Sequence, residues 1–257
     1  DGGDMDAVRV DHDDRFATIT LANPTRRNVL ALDVLDALTD AFATVGRSEA
    51  RGVILAAEGP VFSAGHDFAD MVGADRATAR ALFRTCTDLM ETVQGIGQPV
   101  IARVHALATA AGCQLVATCD LAVAAESAGF ALPGGRGGLF CHTPAVAVAR
   151  AVGQKRALEM ALTGDVVDAA TAADWGLVNR CVPDDELDAA VVDLLHRATR
   201  GGRWSKALGK QGFYEQVGRH QAEAYALTIE TMAAATQTDD AREGIAAFLE
   251  KRHPSFD

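Results

Sequence analysis

The stretch 99-PVIARVHALATAAGCQLVATCDLAVA-124 decides the fold. It opens on a short apolar strand pattern, 99-PVIARVH-105, and passes through the small-residue run 108-ATAAG-112. A helix pattern starts at about Ala111, and 121-LAVAA-125 is strand-like again. The loop of small residues runs straight into the helix. That arrangement offers unpaired backbone N–H groups, and the positive end of a helix dipole, to an anion. At the same place stands Gln114, an amide that neither takes nor releases a proton at neutral pH.

The same order of elements recurs outward from this stretch. Upstream, strand patterns at 7-AVRV-10 and 16-FATITLA-22 flank the polar turn 11-DHDD-14. Beyond 23-NPTRRN-28, Leu32, Leu35, Leu38, Phe42 and Val45 mark a helix. The buried-strand run 51-RGVILAA-57 leads to the loop 62-FSAGHDF-68 and a helix from about Thr78 to Val93. Downstream lie an extended piece at 129-GFAL-132 and a helix from about Thr143 to Ala151. Strand–strand–helix units in this spacing predict one α/β spiral. From Gln154 onward the chain reads as helix at 155–162, 168–176, 184–200 and most of 204–250, with one strand at 177-LVNRCV-182. The division expected is a core over residues 1–200 and a helical region over 201–257 whose apolar stripes pack on a partner subunit.

With 257 residues, 49% of them hydrophobic, the chain is long enough for a sizeable core. A net charge of -11 argues against a nucleic-acid partner, which requires a basic face. Five scattered cysteines, Cys86, Cys113, Cys119, Cys141 and Cys181, form no disulfide or zinc pattern, so reduced thiols in a cytoplasmic protein are expected. No apolar run has the length of a membrane span, and no membrane partner is expected. The acidic opening 1-DGGDMDAVRV-10 lacks the order of a secretory leader, and Met5 is a candidate native start.

Two loops share one design. In 62-FSAGHD-67 and 109-TAAGC-113, small residues expose the backbone. If both face one cavity, their N–H groups can hold a carbonyl oxygen as it becomes an enolate or oxyanion. On pattern alone, Gly65 and Gly112 are read first as packing or turn glycines, because such motifs are common in Ala-rich chains. Ser63 lacks the G-x-S-x-G context of a nucleophile elbow, and His66, Asp67 and Cys113 lack metal-ligand spacing, so no metal is expected.

Five blocks in order, 23-NPTRRNVLAL-32, 53-VILAAEGPVFSAGHDF-68, 99–124, 158-LEMALTGDVVDAATAADWGLVNRCVP-183 and 243-EGIAAFLEKR-252, resemble the enoyl-CoA hydratase/isomerase (crotonase) superfamily. The resemblance implies a ClpP/crotonase-like α/β spiral of ββα units with a C-terminal helical oligomerisation region, assembled as a homotrimer or dimer of trimers. It implies an acyl-CoA substrate, coenzyme A being part of the substrate rather than a tightly bound cofactor, and a place in fatty-acid and acyl-CoA metabolism. The thioester carbonyl would be polarised by the backbone N–H groups of His66 and Ala111. CoA contacts would come from Arg26 and Arg27, from Val29, from Ala64, His66, Asp67 and Phe68, and from Phe248 and Lys251 of a neighbouring subunit.

The resemblance breaks at the proton-transfer groups. Hydratases of the family carry two glutamates, whose positions here hold Gln114 and Gly134. Loss of both is expected to cost hydration several powers of ten, since acid–base catalysis contributes about 10²–10⁴-fold. Replacing both by glutamate is expected to raise hydration. His142, with Cys141 beside it, is the candidate alternative acid or base, and His66 and Asp67 are further ones. Two readings stand: a lyase or isomerase acting on acyl-CoA, and a non-catalytic acyl-CoA-binding or regulatory protein.

Overall fold

A computed structural model describes residues 7–13 and 15–256; Met5 and Asp14 lie outside the described residues. The chain winds through strand–strand–helix units. The first is β1 (Val8–His12), β2 (Phe16–Leu21) and α1 (Leu32–Gly46). The second is β3 (Gly52–Ala57), β4 (Val61–Ser63) and α2 (Arg76–Gly95). The third is β5 (Val100–Val104), β6 (Leu107–Thr109) and α3 (Ala111–Thr118). The fourth is β7 (Leu121–Ala125), β8 (Gly129–Ala131) and α4 (His142–Val152). Then follow α5 (Gln154–Thr163), β9 (Val167–Asp168), α6 (Ala169–Trp175), β10 (Arg180–Val182), α7 (Leu187–Ala198), α8 (Arg203–Gln216), α9 (Gln221–Ala235) and α10 (Asp239–Glu250).

From the second unit to the fourth, each unit gives one strand to each of two sheets. The large sheet has the order β1-β2-β3-β5-β7-β10, parallel except for β1 on β2. The small sheet, β4-β6-β8-β9, is parallel except for β8 on β9. This is the expected α/β spiral, with a helical C-terminal region. Of the predicted helix stripe, Leu35, Leu38, Phe42 and Val45 are buried on α1, while Leu32 at its first position is exposed. On α2 the stripe is Leu82, Cys86, Leu89, Met90 and Val93, begun by Asp75, which accepts the Thr78 N–H at 2.8 Å.

Several boundaries differ from the sequence expectation. β4 and β6 sit inside segments expected as loops; three residues are too few to show a period, and parallel pairing of β4 and β6 makes them strands. β1 extends through His12 into the expected turn. The strand expected at 177–182 is confined to Arg180–Val182, and Asp184–Glu186 forms a 3-10 turn before α7. The region read as helix over most of 204–250 is three helices, broken near Gly218, whose φ is +90°, and again between Ala235 and Asp239. Among the described residues no helix is long and apolar enough to cross a membrane.

Candidate active site

The small sheet places the two glycine loops against each other. Ser63 at the end of β4 pairs with Ala108 of β6, so the loops 64–67 and 110–112 leave the same edge side by side. Gly65 is the point of contact, and its φ is +86°. A β-carbon there would lie 2.9 Å from Ala110 Cβ, 3.1 Å from the Thr109 carbonyl oxygen and 3.2 Å from the Ala111 nitrogen. Glycine is required both by the φ angle and by the closeness of the second loop.

The peptide planes in these loops have fixed directions. Leu30 N–H donates to the Gly65 carbonyl oxygen at 2.8 Å. In a trans peptide the N–H points opposite to the C=O, so the His66 N–H is turned away from Leu30. Ala111 is the first residue of α3, and Gln114 N–H bonds back to the Ala110 carbonyl at 3.0 Å as the helix begins. Among the described residues neither the His66 nor the Ala111 N–H has a protein acceptor. Ala110, which has no side-chain cap to offer, adopts φ 49° and ψ -119°. These angles belong to the first central position of a type II′ turn, a glycine position.

A cavity of about 330 Å³ opens beside these groups. Of the predicted residues, Ala64, His66, Phe68, Ala111, Gly134 and His142 line it. Its apolar wall includes Met71, Phe83, Leu139 and Phe140, none of which the sequence singled out. The His66 ring packs edge-on to Phe83 with centroids 5.5 Å apart, and its Nδ1 lies 3.4 Å from the Leu30 carbonyl oxygen. Burial pulls the His66 imidazole below its ordinary value, against smaller opposing effects of the Leu30 carbonyl and Asp70, and its Nε2 is buried without a partner. His142 starts α4 at the cavity mouth, exposed, its ring 5.0 Å from that of Phe140. Cys141 is buried, which pushes its thiol pKa up and keeps it protonated.

Gln114 is not one of the residues lining the cavity. It lies one turn into α3, 5% exposed, with its Oε1 buried and unpartnered. Gly134 does line the cavity, in the 3-10 turn Pro133–Gly137. A β-carbon on Gly134 would overlap the Leu139 carbonyl oxygen and come within 2.8 Å of Cys141 Sγ. A glutamate at 134 therefore requires the 139–141 segment to shift, a cost that the expectation of restored hydration did not include.

The expected CoA-binding residues are distributed around this centre. Arg26 and Arg27 are exposed on and just after the turn Pro24–Arg26, and Val29 is half-buried behind them. Arg26 is ion-paired to Asp67, whose other oxygen accepts the Ala69 N–H at 3.0 Å, so Asp67 fixes the loop. Phe248 is 82% exposed near the end of α10, where Lys251 follows with φ 56°. Neither lines the cavity. The structure adds Asn28, 1% exposed, which sequence reading passed over inside NPTRRN. Its Nδ2 donates to the Glu58 and Val61 carbonyls at 2.8 and 3.0 Å, and its Oδ1 accepts the Asn23 N–H at 3.0 Å.

The chain is similar in sequence and in fold to known proteins. The family profile described as Enoyl-CoA hydratase/isomerase matches residues 11–257. Enoyl-CoA hydratase domain-containing protein 3, mitochondrial, of Rattus norvegicus is 42% identical over 243 residues, covering 94% of this chain and 81% of that protein. A crystal structure of an enoyl-CoA hydratase from Mycobacterium smegmatis superposes with a TM-score of 0.94 at 44% identity, over 98% of this chain and 99% of that one. The human enoyl-CoA hydratase domain-containing protein 3 superposes with a TM-score of 0.92 at 41% identity, over 97% and 99% of the two chains.

Proposed function

This chain belongs to the enoyl-CoA hydratase/isomerase family, and on that premise we propose that it binds an acyl-CoA thioester and stabilises its enolate or oxyanion. The backbone N–H groups of His66 and Ala111 are the donors. One observation carries the reading: the Gly65 loop lies against the Ala111 nitrogen beside a largely apolar cavity, with both N–H groups free of protein acceptors among the described residues. Two pre-placed amides at a helix N-terminus suit charge that develops on a carbonyl oxygen. Coenzyme A enters as part of the substrate, with Arg26, Arg27, Val29, the 64–68 loop, Phe248 and Lys251 as its contacts. The setting is acyl-CoA and fatty-acid metabolism.

The proton-transfer step separates two readings. In the enzymatic one, a lyase or isomerase, His142 at the cavity mouth or a water near Gln114 moves the proton. In the second, the protein binds acyl-CoA without turning it over. The second reading is favoured because neither Gln114 nor Gly134 carries a carboxylate. Calorimetric titration with an acyl-CoA and with free CoA tests the common part. Tighter binding of the thioester supports it, and equal binding removes the role given to the two amides. Turnover across a panel of acyl-CoAs then decides between the readings: activity lost in His142→Ala supports the first, and no turnover the second.

Assembly follows from the C-terminal region. We propose that residues 201–257 pack between subunits of a homotrimer or a dimer of trimers. Tyr225, Ile229 and Met232 are exposed along one side of α9, which has no buried residue of its own, and Trp204 and Phe213 are exposed on α8. Sedimentation that finds only monomers at micromolar concentration would remove this reading. A cytoplasmic location is proposed from the five unpaired thiols, while the rat relative is by name mitochondrial; fractionation of cells expressing the native protein distinguishes the two.

A further inference from the structure

Ser63 sits where the two amide-bearing loops meet, and the reaction scheme so far gives it no role. It is fully buried at the end of β4. Its hydroxyl donates to the Asn28 carbonyl oxygen at 2.7 Å and accepts the Gly65 N–H at 3.2 Å. On its other side it carries the start of α3: a β-carbon on Gly112 would lie 2.6 Å from the Ser63 carbonyl oxygen, 2.7 Å from its Cβ and 2.9 Å from its Oγ. Gly112 adjoins Ala111 and Gly65 adjoins His66. Ser63 therefore touches both residues that flank the two donors.

We propose that Ser63 is the positioning residue that sets the separation and direction of the His66 and Ala111 amides. The inference deepens the thioester reading and rests on it. The physical argument concerns the peptide units on either side of Gly65. The unit that follows Gly65 is held by the Leu30 N–H on the Gly65 carbonyl. The unit that precedes it is held by the Ser63 hydroxyl on the Gly65 N–H. With both fixed, Gly65 keeps its φ of +86° although glycine has wide freedom there, and the His66 N–H keeps one direction. The same bond satisfies the buried Gly65 N–H, which would otherwise lack a partner.

Asn28 supplies the anchor for this arrangement. Its side chain ties its own loop to the Glu58 and Val61 carbonyls, so the carbonyl that receives the Ser63 hydroxyl is itself held. The chain of contacts runs from Asn28 through Ser63 to Gly65 on one side and Gly112 on the other. None of these groups is charged or exposed, so the device is one of geometry. An oxyanion donor depends on geometry, because removal of one well-placed donor costs about 10²–10³-fold in rate. A hydroxyl that merely satisfies a buried N–H would affect stability without affecting a bound carbonyl.

Isotope-edited infrared spectroscopy of bound butanoyl-CoA, labelled with 13C at the thioester carbonyl, reads the polarisation directly. In the wild-type protein the bound carbonyl band shifts to lower frequency than in water. In Ser63→Ala, at saturating ligand, the shift falls to less than half, while the affinity for free CoA, which has no thioester, stays within about twofold. Ser63→Cys keeps the volume with a weak hydrogen-bonding group, and is expected to lose the shift as well; it decides the matter if Ser63→Ala fails to fold. A full shift retained in a folded variant overturns the role of Ser63 alone. Absence of a shift in the wild-type protein overturns the thioester reading, and this proposal with it.

Discussion

Gly134 N–H donates to Cys141 Sγ across 3.3 Å, and Leu139 N–H returns to the Gly134 carbonyl at 3.0 Å. The segment between them folds back on Gly134 and occupies the volume of any side chain placed there. Gly134→Glu is therefore expected to destabilise the protein by about 1–3 kcal/mol, the usual range for overpacking a closed site. Paired with Gln114→Glu, it is expected to hydrate a short 2-enoyl-CoA no faster than Gln114→Glu alone. Thermal unfolding and a hydration assay on the three variants check this. A double variant as stable as wild type and faster than the single one would show that the segment makes room.

The strain at Ala110 gives a prediction of the opposite sign. A residue with a β-carbon held at φ 49° and ψ -119° stores on the order of 1–3 kcal/mol, which glycine largely avoids at the expense of a more mobile unfolded chain. Ala110→Gly should therefore raise stability by roughly 0.5–1 kcal/mol, a rise in Tm of about 1–4 °C for a chain of this size. Acyl-CoA binding should be retained, since the donor is the next amide. A lower Tm would mean that Ala110 Cβ is wanted for its packing against the Gly65 loop.

Gly134 and Ala110 lie at the border between what local sequence pattern specifies and what distant contacts decide. The large-sheet strands β2, β3, β5 and β7 were legible because each is a run of apolar residues with few exposed positions. The pairing of the Gly65 and Gly112 loops was legible as a repeated pattern of small residues before a helix. The absence of a proton-transfer side chain at Gly134 was legible too, but its physical reason was not, since it depends on residues 139–141 folding back. The structural roles of Asn28 and Ser63 were hidden for a related cause. The bonds that anchor them, from Asn28 Nδ2 to the Glu58 and Val61 carbonyls and from the Ser63 hydroxyl to the Asn28 carbonyl, span 30 or more residues in sequence, and no local spacing reports them. The hidden position of Gln114, behind the lining rather than in it, is set by the direction of α3.

A pH dependence follows from His66. Burial is the largest influence and lowers its pKa below the ordinary value near 6.5. Above that value both folded and unfolded chains hold a neutral imidazole, and the contribution of the site is fully present. As pH falls below it, the unfolded chain takes up the proton first, so stability is lost until the lower folded value is passed. His66→Gln removes this titration. The difference in unfolding free energy between wild type and the variant should decline as the pH falls through the ordinary histidine value and below it. A difference that does not change with pH would mean that the imidazole is solvated in the folded protein.

The last prediction concerns how the helical region is fastened to the core. Lys210 on α8 reaches inward, its side chain 9% exposed, and its Nζ lies 2.8 Å from Asp120 Oδ2. It also donates to the Val93 and Gln98 carbonyls, each at 2.9 Å. Asp120 in turn accepts the Tyr214 hydroxyl and the Val100 N–H, at 2.8 and 2.7 Å. Burial lowers the Lys210 pKa and raises that of Tyr214; the Asp120 charge opposes the first change and adds to the second. One carboxylate thus joins α8 to the start of β5 and to the turn between α3 and β7. Lys210→Met leaves that carboxylate buried without a cation and should destabilise the protein by about 3–5 kcal/mol. Lys210→Met with Asp120→Asn should recover part of the loss, because it removes the stranded charge as well. Denaturant unfolding measures both, and limited proteolysis should cut the 201–257 region faster in the single variant. A loss below about 1 kcal/mol would place the pair among solvent-screened surface contacts, and the attachment of α8 would then rest on its apolar packing against the core.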